Sequence, residues 1–205
     1  MAAMTIWRGK DPLILASQSR ARQMLLANAG IPFEAIPAEI DERAVQKDSG
    51  LSAPGEIAKL LAREKAAGVS SQKPGRYVVG ADQTLALGNR LFSKPAGRAA
   101  AAEQLRLLAG NGHELHSAFA VARDGKILSA DVSIARMTMR PLGKSEIEAY
   151  LDQASEAVTT SVGAYQLEGL GVHLFERIEG DHFTILGLPL LPLLVFLRSE
   201  RLLAV

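Results

Sequence analysis

The stretch "LILASQSRARQMLL", Leu13 to Leu26, sets a short apolar run directly against two serines and two arginines. The run reads as a buried strand feeding a helix, with Ser19 at the helix start and Gly30 at its stop. A helix start leaves backbone N–H groups unpaired and carries the positive end of the helix dipole. Ser17 and Ser19 add hydroxyl donors there, and Arg20 and Arg22 add cations. Such a place can hold a phosphate or a carboxylate. The plainer reading is that Ser19 only caps the helix and the arginines are solvated.

A second candidate is Asp82 in "VVGAD". An aspartate directly after an apolar strand is expected at the carboxyl edge of a sheet, where α/β ligand sites gather. It could bind a divalent cation or act as a general base, or it could simply cap a turn before Gln83-Thr84. Lys94 in "FSKP" precedes a proline and is biased towards extended backbone. Lys65 in "LAREKA" lies on an expected helix. Glu42 in "IDE" is a further carboxylate. Solvated surface charge is the ordinary fate of all three. The pair His113 and His116 in "HELH" suggests zinc, but on a strand a spacing of three turns the rings to opposite faces. Helical zinc pairs use i, i+4, so no metal is expected there. There is no P-loop, no dinucleotide-binding glycine fingerprint and no G-x-S-x-G elbow.

These residues need a scaffold. "FEAIPAEIDE" reads as a strand running out to Asp41 and Glu42, residues 54–67 as a helix, and "YVVGAD" as a strand ending at Asp82. "TLALGNRLF" implies a hairpin around Gly88-Asn89, and residues 99–108 an alanine-rich helix. Two partly alternating runs joined at Asp124-Gly125 imply a long hairpin. A helix follows near Glu146 to Leu151, then a glycine-rich loop, "GAYQLEGLG". "VHLFERIEGDHFTILGL" reads as strand, turn and strand. "ILGLPLLPLLVFL" reads as a core helix with Pro189 in its first turn. Interleaved helices and strands with long hairpins imply an α/β fold with a mixed, twisted sheet and flanking helices.

The composition sets limits. The chain has 205 residues, 48% hydrophobic and 22% charged, with a formal net charge of +1. No bulk field favours nucleic acid or an anionic membrane, so an anion site must be built locally. The absence of cysteine excludes disulfides, thiolate metal sites and a cysteine nucleophile, and fits a reducing, cytoplasmic setting. Charges interrupt the N-terminal stretch before Leu13, unlike a signal peptide. The longest apolar segment falls short of the ~20 residues a membrane span needs.

In order and spacing, "LILASQSRARQMLL", "FEAIPAEIDE", "LAREKA", "VVGADQT", "FSKP", "GAYQLEGLG" and "RIEGDHFTILGLPL" resemble the Maf family. These are the septum-formation-inhibitor-like nucleoside triphosphate pyrophosphatases. The resemblance covers about Leu13 to Arg198 and implies one Maf-like domain over 1–205. It implies two lobes around a central cleft, similar to inosine triphosphate pyrophosphatases, and a homodimer. It further implies hydrolysis of a nucleoside triphosphate to the monophosphate and pyrophosphate, a house-cleaning activity helped by Mg²⁺ or Mn²⁺. The family's proton-accepting aspartate falls on Asp82, its phosphate-loop serines and arginine on Ser17, Ser19 and Arg22, and its lysines on Lys65 and Lys94. One carboxylate of its acidic pair falls on Glu42, and the cation is expected near Asp82 and Glu42.

The family loop usually reads S-x-S-P-R-R, and here it reads S-Q-S-R-A-R. Ala21 therefore stands where one branch has arginine and another tryptophan. Gln83 after the aspartate, with Glu168 in the glycine loop, resembles the branch acting on 7-methyl-GTP. Thr with Gln would mark the branch acting on dTTP and UTP. A carboxylate at 168 could accept from guanine N1–H and the amino group, which pyrimidines lack. The expectation is thus a purine, 7-methyl-GTP among the candidates. The alternatives are a dTTP/UTP pyrophosphatase and a non-catalytic nucleotide-binding regulator of cell division.

Overall fold

A computed structural model of the chain describes residues 6–154 and 157–205. The first five residues, part of the N-terminal stretch weighed above against a signal peptide, lie outside it. The expected mixed α/β architecture is present. Strand β1 (Leu13–Leu15) pairs in parallel with β2 (Phe33–Ala35) and with β3 (Val78–Leu87). Strand β4 (Arg90–Phe92) folds back antiparallel on β3. The long hairpin of β5 (Gly112–Arg123) and β6 (Lys126–Met139) is followed in the sheet by β7 (Phe175–Glu179), antiparallel to β6. The order β2-β1-β3-β5-β6-β7, with β4 on β3, gives seven strands. The β5–β6 turn takes positive φ at both Asp124 (51°) and Gly125 (75°), the geometry that an Asp-Gly pair favours in two-residue hairpins.

The helices are α1 (Arg20–Asn28), α2 (Glu42–Ser49), α3 (Pro54–Ser71), α4 (Arg98–Leu108), α5 (Lys144–Ala154), α6 (Ala157–Thr160), α7 (His182–Ile185) and α8 (Leu190–Ser199). None among the described residues is long and apolar enough to cross a membrane.

Four expectations need correction. The strand through "FEAIPAEIDE" stops at Ala35, because Pro37 has no N–H to continue a ladder. Asp41 instead caps α2, its Oδ1 accepting from Arg43 N at 3.1 Å and Ala44 N at 3.0 Å. Gly50 ends that helix at a φ of 65°. Second, β3 does not end at Asp82 but runs on to Leu87. Third, the segment after Glu179 is the short helix α7, because Asp181 caps it through Thr184 N at 2.9 Å. Fourth, Pro189 is not inside α8 but immediately before it.

The chain divides into two compact units. One comprises the residues up to Gln83, Ser117–Ser133 and Gly187–Val205; the other Thr84–His116 and Ile134–Leu186. The first has an alanine-rich interface, with Ile127 and Val132 of β6 packed against it. Ala58, Ala62 and Ala66 of α3 meet Ala118, Ala120 and Ala122 of β5. Gly80 of β3 completes it. A Cβ there would lie 2.2 Å from Ala62 O and 2.6 Å from Ala66 N. Both are backbone atoms, so α3 itself would have to move. Gly80→Ala is therefore expected to destabilise the fold by about 3 kcal/mol, at the upper end for overpacking. That is a melting point ~6–12 °C lower for a chain of this size, read by thermal unfolding.

The second unit packs Leu105, Leu115, Met137, Leu151 and Tyr165 around a larger core. His113 lies inside it, its Nε2 2.7 Å from Tyr165 Oη, with Tyr165 and Phe175 edge to face at 4.8 Å. His116 turns the other way, to Glu114 Oε2 at 3.0 Å. The two rings of "HELH" thus have separate partners, as the alternation of a strand predicts. Burial pushes the His113 pKa down to about 4. The unfolded chain takes up that proton near pH 6.5, the native state only near 4. Stability is therefore lost as pH falls across this window, by about 3 kcal/mol. Urea unfolding at pH 7 and 4.5 should show a smaller acid loss in His113→Phe than in the unsubstituted protein.

Candidate active site

The end of β1 makes the first part of the site. Leu13, Ile14 and Leu15 are fully buried, and the chain leaves the sheet at Ala16, whose N–H donates to Val79 O at 2.8 Å. Ser17 follows, still buried, and Ser19 caps α1 by accepting from Arg22 N at 3.4 Å. The first turn of α1 carries no acid, so nothing there balances Arg20, Arg22 or the helix dipole. Ser17 Oγ accepts from Ser19 N at 3.2 Å and from Arg22 Nη1 at 3.1 Å. The same guanidinium reaches Ala81 O and Gly187 O, both at 2.8 Å. Ala21 sits half-buried in the first turn and Arg20 is exposed.

Because β1 is only three residues long, β3 outruns it. Their register ends at Leu15↔Val79, so Asp82 projects beyond the carboxyl end of β1 although it lies within β3. The edge expected for Asp82 is real, but the shorter neighbour creates it.

Asp82 is buried, and Lys65 Nζ donates to its Oδ1 at 2.6 Å. Lys65 also pairs with Glu42 Oε1 at 2.8 Å. Gly80 places this lysine, since the absent side chain lets α3 lie directly on β3 between Ala62 and Ala66. Glu42 arrives on the first residue of α2, half exposed. Burial raises the Asp82 pKa above the usual carboxylate range. The charges of Lys65 and Arg22 oppose that rise, and Glu42 adds to it. Burial also lowers the Arg22 pKa, against the pull of Asp82 and Glu42. A buried carboxyl with a raised pKa beside fixed cations is equipped to hold a proton during a reaction.

Seven of the expected residues thus belong to one unit: Ser17, Ser19, Ala21, Arg22, Glu42, Lys65 and Asp82. Gln83 joins them, with its Nε2 donating to the fully buried Ser117 at 2.8 Å. Lys94 and Glu168 belong to the other unit, and both are exposed. Ser117 and Gly187 were not singled out from the sequence. Nothing in "HELHSAF" distinguishes Ser117 from a surface serine, whereas Gly187 stands in an apolar run at a φ of 87°.

For a divalent cation the donor set is Asp82 and Glu42, two hard carboxylate ligands converging on one ammonium. No group of three or more His, Cys, Asp or Glu gathers among the described residues. Two carboxylates with the remaining positions left to phosphate oxygens and water suit Mg²⁺, so these residues fit such an ion.

The Maf-like protein family model matches residues 12–200. A nucleoside triphosphate pyrophosphatase of Rhodopseudomonas palustris (strain ATCC BAA-98 / CGA009) is 73% identical over 202 residues, 98% of this chain and 100% of the relative. One from Bradyrhizobium diazoefficiens is 72% identical with the same coverage. A 7-methyl-GTP pyrophosphatase of Brucella abortus biovar 1 (strain 9-941) is 51% identical over 192 residues, 92% of this chain and 96% of the relative. With the match running nearly end to end, the chain belongs to the Maf-like protein family.

Proposed function

We propose that this protein is a nucleoside triphosphate pyrophosphatase, releasing pyrophosphate and a nucleoside monophosphate. The observation that carries this reading is Asp82. It is a buried carboxyl with a raised pKa, held by Lys65 beside a helix start equipped for anions. The relatives' names agree with it.

In this reading the triphosphate lies along the start of α1, where the backbone N–H groups and Ser17 and Ser19 meet its oxygens. Asp82 accepts the proton of the water that attacks the α-phosphorus. Lys65, anchored between Asp82 and Glu42, neutralises charge on the departing pyrophosphate; for Lys94 the same task is supported by the family resemblance alone. A divalent cation held by Asp82 and Glu42 supplies further charge neutralisation at the phosphate oxygens when bound. Most of the acceleration comes from fixed charges and positioning, as in other phosphoryl transfers.

For the base, we propose a purine, with 7-methyl-GTP first among the candidates. Gln83 and Glu168 support it by residue type, and the Brucella relative by its name. We place the protein in the cytoplasm, as a homodimer. A panel of 7-methyl-GTP, GTP, dTTP, UTP and inosine triphosphate, with Mg²⁺ or Mn²⁺, tests activity and base together. Monophosphate and pyrophosphate as products, fastest from 7-methyl-GTP, are expected. Preference for dTTP and UTP would overturn the base assignment. Binding without turnover across the panel would point to a nucleotide-binding regulator.

A further inference from the structure

Arg22 directs its guanidinium into the protein. Its Nε donates to Gly187 O, while Nη1 donates to Ala81 O and to Ser17 Oγ. It therefore fastens together three segments distant in sequence: the residue pair after β1, the β3 residue before Asp82, and the approach to α8. Gly187 is shaped to this purpose. A Cβ there would stand 3.3 Å from Arg22 Nη2 and 3.4 Å from Nε, at a φ of 87°. The positive φ favours glycine there, and any Cβ would press on the guanidinium.

The effect falls on Ser17. A serine hydroxyl has two acceptor positions and one proton. Ser17 Oγ fills both acceptor positions, one with Arg22 Nη1 and one with Ser19 N. Its proton is left with donation as its one role. A hydroxyl so fixed at a helix start suits an oxyanion and no cation.

We propose that Arg22 is a positioning residue which fixes Ser17 Oγ as a compulsory hydrogen-bond donor to a substrate phosphate oxygen, rather than a cation that pairs with phosphate itself. This rests on the reading above that the triphosphate lies at the start of α1. Arg20, exposed and without an ion pair among the described residues, is then the arginine of this loop left to meet phosphate charge.

The test separates charge from geometry. Lysine at 22 keeps the charge, including its pull on Asp82, but cannot serve Gly187 O, Ala81 O and Ser17 Oγ at once. Pyrophosphate release is measured for Arg22→Lys, Ser17→Ala and the double variant. Each single change is expected to lower kcat/KM by about 10²-fold, the scale of one oriented donor. The double variant should fall within about threefold of the worse single, because both changes remove the same donor. Arg22→Lys within about threefold of the unsubstituted protein, or effects that multiply, would overturn the proposal.

A crystal structure of the unsubstituted protein with α,β-methylene-GTP gives an answer independent of how the variants fold. Ser17 Oγ on a phosphate oxygen with Arg22 still on Gly187 O and Ala81 O is expected. A phosphate on Arg22 Nη1 or Nη2 with Ser17 out of reach would overturn the positioning role while keeping the site. Phosphates bound away from α1, with Ser17→Ala fully active, would remove the site itself.

Discussion

Replacing Asp82 by asparagine is expected to lower kcat for pyrophosphate release by about 10³-fold, in the range that general bases contribute. Asparagine keeps the size of the side chain and an oxygen for Lys65 Nζ, now 2.6 Å from Oδ1, so the fold and nucleotide binding should survive. What disappears is the ability to take a proton. The profile of kcat/KM against pH in the unsubstituted protein supplies a second reading. Its acid limb should lie above the ordinary carboxylate range, because burial raises the Asp82 pKa. Steady-state pyrophosphate release by Asp82→Asn measures the first effect, and turnover near that of the unsubstituted protein would disprove the assignment.

The second large effect belongs to Lys65. Its ammonium serves Asp82 and Glu42 together, at 2.6 and 2.8 Å. Lys65→Met removes the positive charge and leaves two carboxylates facing each other, one of them buried. A drop of about 10²–10³-fold in kcat/KM is expected from the lost electrostatic stabilisation. The sign of the accompanying pH effect is fixed. Lys65 holds the Asp82 pKa down against burial, so its removal raises that pKa further. The acid limb should move to higher pH, because an opposite charge at this distance favours the ionised carboxylate. Lys65→Arg keeps the charge and should leave the limb near its original place. An unmoved limb in Lys65→Met would mean that the lysine does not govern the aspartate.

Much of this site could be read from residue types alone, and the reasons are local. Ser19 is a favoured cap and Gly30 a favoured stop, so α1 and the loop before it announce themselves. Asp124-Gly125 does the same for the long hairpin. What failed was whatever depended on a neighbour's length or on reading past one strong signal. The extent of β3 beyond Asp82 cannot be told from "VVGADQT", since three polar residues in a row, Asp82 to Thr84, read as a turn, while in the fold β3 is buried almost throughout. Helix α2 was legible in principle. Asp41 and Gly50 bracket it as cap and stop, but the apolar residues before Pro37 suggested a strand and the bracket went unread. That misreading cost Glu42 its setting. It enters the site from the first turn of a helix, within reach of Lys65, and not from a strand end. Ser117 had no local signal at all, and Gly187 only that of a glycine in an apolar run, because their roles consist of what long-range packing brings against them.

The seam where α3 lies on the sheet carries a further implication. Where α3 meets the sheet the parts are alanines and one glycine, side chains without torsions to re-sort, with Ile127 and Val132 of β6 packed against them. Larger cores absorb a substitution by sliding neighbours into other rotamers, and the alanines and glycine at this contact have none to offer. The gauge of the seam is therefore fixed by covalent geometry, and the smallest available adjustment is a whole carbon atom. A lysine mounted there inherits that fixed baseline. Its reach can be altered by exchanging the lysine, while the platform beneath it admits no fine tuning.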